Sequence, residues 1–236
     1  RIAFASLLLC GSAFALAQGR GNALPPPAKL VAPGIPGVVA AGTTIELVKG
    51  GFARTEGPVG MPDGSVLFTE TNRITRIDPQ GNVTTFVDPS NGSNAMGWDP
   101  KGRLISVQRA QNNEKVGVLY PPEAVTTLVD RFEGKPFNRL NDLVVDRKGG
   151  VYFTDAAGVY FMPPGGAVTK VIGDIPNPNG VILSPDEKVL YANNKDGEYM
   201  LAYDVGPDGR LSGRRNFAKY KSVTVPGSKD PLLAED

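Results

Sequence analysis

The stretch "FNRLNDLVVDRKGGVYFTD", residues 137–155, crowds Asn138, Asn141 and Asp142 ahead of a short apolar run, then turns through Arg-Lys-Gly-Gly into a second one. Asn and Asp bond their own backbone and tolerate left-handed conformations, so such crowding marks a turn. Side-chain oxygens gathered at the mouth of a strand also suit holding something. The second half of the stretch decides the fold, because it recurs. "MPDGSVLFTE" (61–70), "DPKGRLISVQ" (99–108), "DRKGGVYFTD" (146–155) and "SPDEKVLYAN" (184–193) each place a turn before a run with apolar residues at alternate positions. Aligning Gly64, Gly102, Gly149 and Glu187 gives spacings of 38, 47 and 38 residues. The units continue through a second strand, a polar turn and a third strand, as in "NRITRIDPQGNVTTFVD" (72–88) and "GVYFMPPGGAVTKVIGD" (158–174).

Repeats of this period, built of several short strands with Asp-Gly and Pro-Gly turns, predict an all-β fold of the β-propeller type, one repeat per blade. Outside the amino-terminal segment no stretch has the periodicity of an amphipathic helix. Four repeats are present, and propellers run from about four to eight blades. The chain reaches "KDPLLAED" (229–236) where a fifth unit would begin its first strand, so the ring is expected to continue beyond residue 236. The propeller is expected over residues 41–236.

Composition restricts the chemistry. Histidine is absent, and the single cysteine, Cys10, lies in the amino-terminal segment. A Ser-His-Asp relay, a zinc site of imidazole or thiolate, a thiol nucleophile and a disulfide are thereby excluded. A metal ion would have to be held by oxygen, which favours hard cations, and an acid or base would have to be a carboxylate, Lys or Tyr.

"RIAFASLLLCGSAFALAQ" (1–18) has a basic start, an apolar run and the small-x-small pattern Ala15-Leu16-Ala17, the form of an export signal covering residues 1–17. It is too short for a stable membrane anchor. Beginning with Arg rather than Met, the chain is expected to lack its true start. The expectation is an exported protein, periplasmic or secreted. Lys and Arg number 25 against 24 Asp and Glu, and cleavage after Ala17 removes Arg1, leaving no net charge. That balance argues against nucleic acid or an anionic membrane as the partner. Residues 18–40, rich in Pro, Gly and Ala without strand or helix periodicity, read as a semi-stiff tether.

In a propeller the innermost strands of all blades face one axis, so residues entering those strands converge. Glu56, Asn94, Asn141 and Asn179 each lie eight residues before the aligned turn position of their own repeat. One carboxylate and three amides in register suit a solvated divalent cation with positions left for water and substrate. Asp142 adjoins the third of them. "DVGPDGRLSG" (204–213) has the look of a calcium loop but lacks its final bidentate acid, and is expected to be a blade turn. Trp98 and Tyr152 are expected in the core.

At these residues the chain resembles the family of senescence marker protein (regucalcin), gluconolactonase and luciferin-regenerating enzyme. The matching motifs are the Glu-Gly-Pro of "TEGP" (55–58), the Arg-x-Asn-Asp of "NRLND" (138–142) and the Pro-Asn-Gly of "IPNPNGVILSPDEKVLY" (175–191), within a likeness spanning residues 44–236. The resemblance implies a six-bladed propeller with one axial divalent cation (calcium, magnesium, manganese or zinc). It implies Glu56 and Asn179 as metal ligands, Asn141 close to the metal, and Arg139 and Asn141 in contact with substrate; Asn94, in register with them, is expected to join the substrate contacts. It also implies a late Asp-Gly motif whose Asp both ligates the metal and acts as general base. Here the chain departs from the family, since no Asp-Gly precedes an apolar strand after residue 209; Asp236 lies at about the right distance, and Asp230, followed by Pro231, fits less well. The activity implied is metal-assisted hydrolysis of a sugar lactone: the cation polarises the ring carbonyl, a carboxylate deprotonates water, and Arg139 with the amides orients the sugar hydroxyls in a neutral, hydrophilic channel. Two rival readings are a non-catalytic propeller binding a sugar or protein, and a different hydrolase or strictosidine-synthase-like activity on a related ring.

Overall fold

Each repeat begins with a turn whose aligned residue is left-handed. Gly64, Gly102 and Gly149 have φ of 83°, 75° and 88°, and Glu187 takes the same position at 57°. The turn is closed by the residue three before, as Gly102 N–H donates to the Asp99 carbonyl (2.9 Å) and Gly149 N–H to that of Asp146 (2.9 Å). The Asp carboxylates tighten it further: Asp99 accepts from the backbone of Lys101 and Arg103, Asp146 from that of Lys148 and Gly150. This Asx-type turn is what the Asp-x-x-Gly spacing encodes.

The computed structural model describes residues 30–32, 34–175, 177–194 and 197–220, and the chain divides into two units between Val48 and Lys49. In the first, β1 (Leu30–Val31) pairs antiparallel with β2 (Thr44–Ile45), and Ile35 bridges to Val39 inside them. Part of the expected tether is thus a small hairpin, and the expected boundary at residue 41 falls inside it. Gly34, Gly37 and Gly42, all at positive φ, let the Pro-rich stretch reverse on itself.

The second unit holds four four-stranded antiparallel sheets in strict sequence order. The first comprises β3 (Glu56–Gly60), β4 (Val66–Glu70), β5 (Arg73–Ile77) and β6 (Val83–Val87). The second comprises β7 (Ser93–Trp98), β8 (Leu104–Gln108), β9 (Lys115–Tyr120) and β10 (Thr126–Val129), and a small hairpin of β11 (Arg131–Phe132) and β12 (Lys135–Pro136) follows it. The third is β13 (Leu143–Val145), β14 (Val151–Asp155), β15 (Gly158–Met162) and β16 (Thr169–Ile172); the fourth is β17 (Pro178–Leu183), β18 (Val189–Asn194), β19 (Tyr199–Val205) and β20 (Leu211–Lys219). These are the four propeller blades that the repeats predict. Their first strands lie side by side, β3 against β7, β7 against β13 and β13 against β17.

The core lies between blades. β14 and β15 are buried along their whole length because each has a neighbouring blade on both faces. Alternation then sends adjacent residues to different neighbours. Val151, Phe153 and Tyr160 join Ile105, Val107 and Val118 of the second blade, while Tyr152, Val159 and Phe161 join Leu190 and Leu201 of the fourth. Leu67, Ile74, Met96, Leu104 and Leu119 fill the space between the first and second blades. Tyr152 is core, as expected, and its hydroxyl donates to the Gly209 carbonyl (2.9 Å). Trp98 meets Phe86 and Tyr120 edge-on. "DVGPDGRLSG" is the turn joining β19 to β20.

Candidate functional site

The four register-matched residues stand where the first strand of each blade is irregular. The pairing of β3 with β4 slips between Glu56 and Val59, that of β7 with β8 between Ser93 and Ala95, and that of β17 with β18 between Pro178 and Val181. Glu56, Asn94 and Asn179 therefore lie at or beside bulges, which re-aim a side chain out of the alternation of its strand. Asn141 precedes β13, its N–H bonded to the Thr154 carbonyl (3.0 Å). Two residues ahead of each is a left-handed residue: Arg54 (φ 53°), Gly92 (65°), Arg139 (56°) and Asn177 (49°). Three of these are not glycine, at a cost of roughly 1–2 kcal/mol each. The same backbone approach thus delivers one residue per blade.

Hydrogen bonds lace the four positions together. The buried Thr69 hydroxyl lies 3.1 Å from the Glu56 carbonyl and 3.2 Å from that of Asn94 in the next blade. Asn94 Nδ2 donates to the Asn141 carbonyl (2.9 Å). Thr154, at the position of Thr69 in its own blade, donates to the Asn179 carbonyl (2.8 Å) and accepts from Asp142 N–H (3.0 Å). Gly57 makes the first crossing possible: its φ is +50°, and a Cβ there would lie 2.7 Å from both the Asn94 oxygen and the Ala95 Cα.

Side-chain roles separate on this frame. Asp142 Oδ1 accepts from its neighbour Leu143 N–H (2.8 Å) and Oδ2 from Val181 N–H (2.7 Å), so it ties the third blade to the fourth. Asn94, expected to meet substrate, has both ends of its amide engaged, with Oδ1 accepting from Arg109 Nη1 at 2.8 Å; here it positions its neighbours. Asn141 and Asn179 are half-buried, and among the described residues neither side-chain amide has a hydrogen-bond partner. Glu56 and Arg139 are exposed. Asp230 and Asp236 lie outside the described residues. Among the described residues no three acidic, His or Cys side chains cluster, and the donors that the four register positions offer there are the Glu56 carboxylate and amide oxygens. That donor set fits a hard, partly hydrated ion.

Beside Glu56 a cavity of about 220 Å³ is bounded by Arg54, Glu70, Asn94 and Arg109. Glu70 is buried and its carboxylate is occupied by Arg73 (2.7 and 3.1 Å) and the Thr75 hydroxyl. These bonds, chiefly that from Arg73, outweigh burial and hold its pKa below the ordinary 4.5. Sequence reasoning missed Arg54 and Arg109, although Arg54 stands at the same offset from Glu56 as Arg139 from Asn141. It also passed over a second register: Glu70, Gln108, Asp155 and Asn193, one per blade at the end of the second strand, are all buried and polar. Gln108 accepts from Asn91 (3.0 Å), Asp155 from Ala157 N–H (2.7 Å) and Asn193 from the Tyr220 hydroxyl (2.6 Å). A larger cavity, about 480 Å³, runs along the first strands past Val59, Met96, Trp98, Val145, Ile182 and Met200. This wall is largely apolar where a hydrophilic channel was expected, although Asp142 and Asn193 also line it.

A family model describing the SMP-30/Gluconolactonase/LRE-like region matches residues 54–231. The chain belongs to this family. It is 28% identical to the gluconolactonase of Zymomonas mobilis, over 85% of this chain and 67% of that protein. The structure of a gluconolactonase from Xanthomonas campestris is similar with a TM-score of 0.63 and 26% identity, covering 70% of this chain and 63% of that one. Regucalcin from Agrobacterium tumefaciens, described as a calcium-binding protein, shares the fold at 18% identity, with a TM-score of 0.57 over 70% of this chain and 59% of its own. The chain thus spans about three fifths to two thirds of the length of these relatives.

Proposed function

We propose that the full-length protein hydrolyses lactones, with a sugar lactone as substrate and one divalent cation at the register end of the channel. The observation that carries this is the pair of half-buried amides, Asn141 and Asn179, without side-chain partners among the described residues and laced into one frame with the carboxylate-bearing Glu56. Membership of a family with two gluconolactonase relatives supports the reaction class. When bound, the cation would supply Lewis acidity at the lactone carbonyl. Glu56 would contribute charge compensation, and the Asn141 and Asn179 oxygens neutral donors. Arg139, exposed at the same end, would orient substrate hydroxyls. The proton of the attacking water would pass to a carboxylate, for which Asp236 is the candidate.

The test is proton release from a panel of sugar lactones by the full-length protein, with and without chelator. Chelation should abolish the rate while the circular dichroism spectrum is kept. Unchanged turnover in excess chelator would overturn the metal assignment, and no turnover of any lactone would favour a binding propeller.

We also infer export through residues 1–17, with a mature terminus at Gln18 and neither nucleic acid nor a stable membrane anchor involved. The apolar segment and its Ala15-Leu16-Ala17 site support this. No helix among the described residues is long and apolar enough to cross a membrane.

A further inference from the structure

Of the eleven described arginines, eight are ion-paired to carboxylates. The other three, Arg54, Arg109 and Arg139, have no ion pair among the described residues, and all three adjoin register positions. Arg54 and Arg139 are the left-handed residues two ahead of Glu56 and Asn141, and Arg109 holds Asn94. Arg54 and Arg109 bound the same 220 Å³ cavity. Of the two carboxylates in its wall, Glu70 is neutralised by Arg73, and Glu56 sets one negative charge against the two guanidiniums. Two guanidinium groups therefore stand over a small cavity with positive charge in excess. Arg109 spends one N–H on Asn94 and retains the others, and a guanidinium presents five in a fork suited to carboxylate or phosphate oxygens.

We propose that this cavity receives an anionic substituent of the substrate, a carboxylate or a phosphate ester, so that the site prefers charged lactones to neutral ones. The proposal rests on the lactonase reading and narrows its substrate class. With a neutral sugar lactone bound, Glu56 alone would face the two guanidiniums, leaving one positive charge in the cavity wall unbalanced. The cavity has room for such a group, with the ring itself reaching toward Asn141 and Asn179.

The experiment compares kcat/KM of the full-length protein for gluconolactone, glucarolactone and phosphogluconolactone. At least one charged lactone should exceed the neutral one by tenfold or more, and which one does so distinguishes carboxylate from phosphate. Arg109→Gln, and Arg54→Asn, chosen because Asn tolerates left-handed backbone, should each lower the charged-to-neutral ratio about tenfold. Arg109→Lys, keeping the charge without the fork, should restore part of it. A ratio near one, or a ratio unmoved in both variants, overturns the proposal while turnover of gluconolactone leaves the lactonase reading standing. An arginine that merely met the product carboxylate would affect all three lactones alike and leave the ratio unmoved. Should no lactone be turned over, calorimetric titration with inorganic phosphate and with glucarate decides. Binding that weakens in Arg109→Gln and with added salt supports the anion site independently of lactonase activity; no binding of either anion overturns it.

Discussion

At the scale of single residues, the register of Glu56, Asn94, Asn141 and Asn179 resolves into unlike roles. Asn94 is spent on Arg109 and on the Asn141 carbonyl, whereas the side-chain amides of Asn141 and Asn179 have no partner among the described residues. Glu56→Gln keeps size and hydrogen bonding and removes the one carboxylate of the set. Divalent-dependent lactone hydrolysis should fall at least 100-fold, with the thermal midpoint within a degree or two of wild type, because an exposed residue carries little of the core. Retained wild-type rate and metal affinity would make Glu56 an ordinary turn residue. Gly57 answers to sterics alone. Gly57→Ala would combine a left-handed φ with an overlap on the backbone of the next blade at 2.7 Å. A loss of about 2–4 kcal/mol in denaturant unfolding is expected, from backbone strain together with displacement of β7. An unfolding midpoint equal to wild type would show that the two blades do not approach so closely.

Between elements, the blades are joined by a few polar staples as well as by side-chain packing. Thr69 and Thr154 occupy one position in the first and third blades, and Val107 and Ala192 the same position in the second and fourth. In the second blade, where Val107 has no hydroxyl, the Asn141 carbonyl of the next blade takes its donor from Asn94 instead. Thr154 is fully buried and serves both the Asn179 carbonyl and Asp142 N–H. Thr154→Val preserves shape and removes both bonds, so about 1–3 kcal/mol of stability should be lost. If Asn179 also depends on this staple for its position, the metal affinity of the full-length protein will weaken in parallel. A variant as stable as wild type would refute the staple.

For the whole molecule, acid sensitivity follows from Glu70. Its folded pKa lies below its ordinary 4.5, chiefly through Arg73, so the carboxylate is favoured in the native state. The resulting stabilisation is complete above the unfolded pKa and is lost as pH falls through the folded one. The urea midpoint should decline below about pH 4.5, and Glu70→Gln should flatten that part of the profile; an identical slope in the variant would remove Glu70 from the account. Export is tested by amino-terminal sequencing of protein recovered outside the cytoplasm, which should begin at Gln18.

The period of the chain and its turn chemistry determined the four blades, because a tight turn ahead of a period-two apolar run is local and needs no partner to be recognised. The register of one oxygen-bearing side chain per blade was legible for the same reason, as was the family likeness carried by its motifs. What the tertiary structure decided is which of those side chains remain available. Asp142 and Asn94 bond to groups in other blades or to a residue fifteen positions away in the same blade, contacts that no spacing encodes. The small hairpin at residues 30–45 also escaped the sequence, since two-residue strands leave no periodicity to read. The apolar channel wall, and Arg54 and Arg109 without an ion pair among the described residues, depend on which faces meet when blades stand side by side, and a charge is spent or spare only once its neighbours in space are fixed.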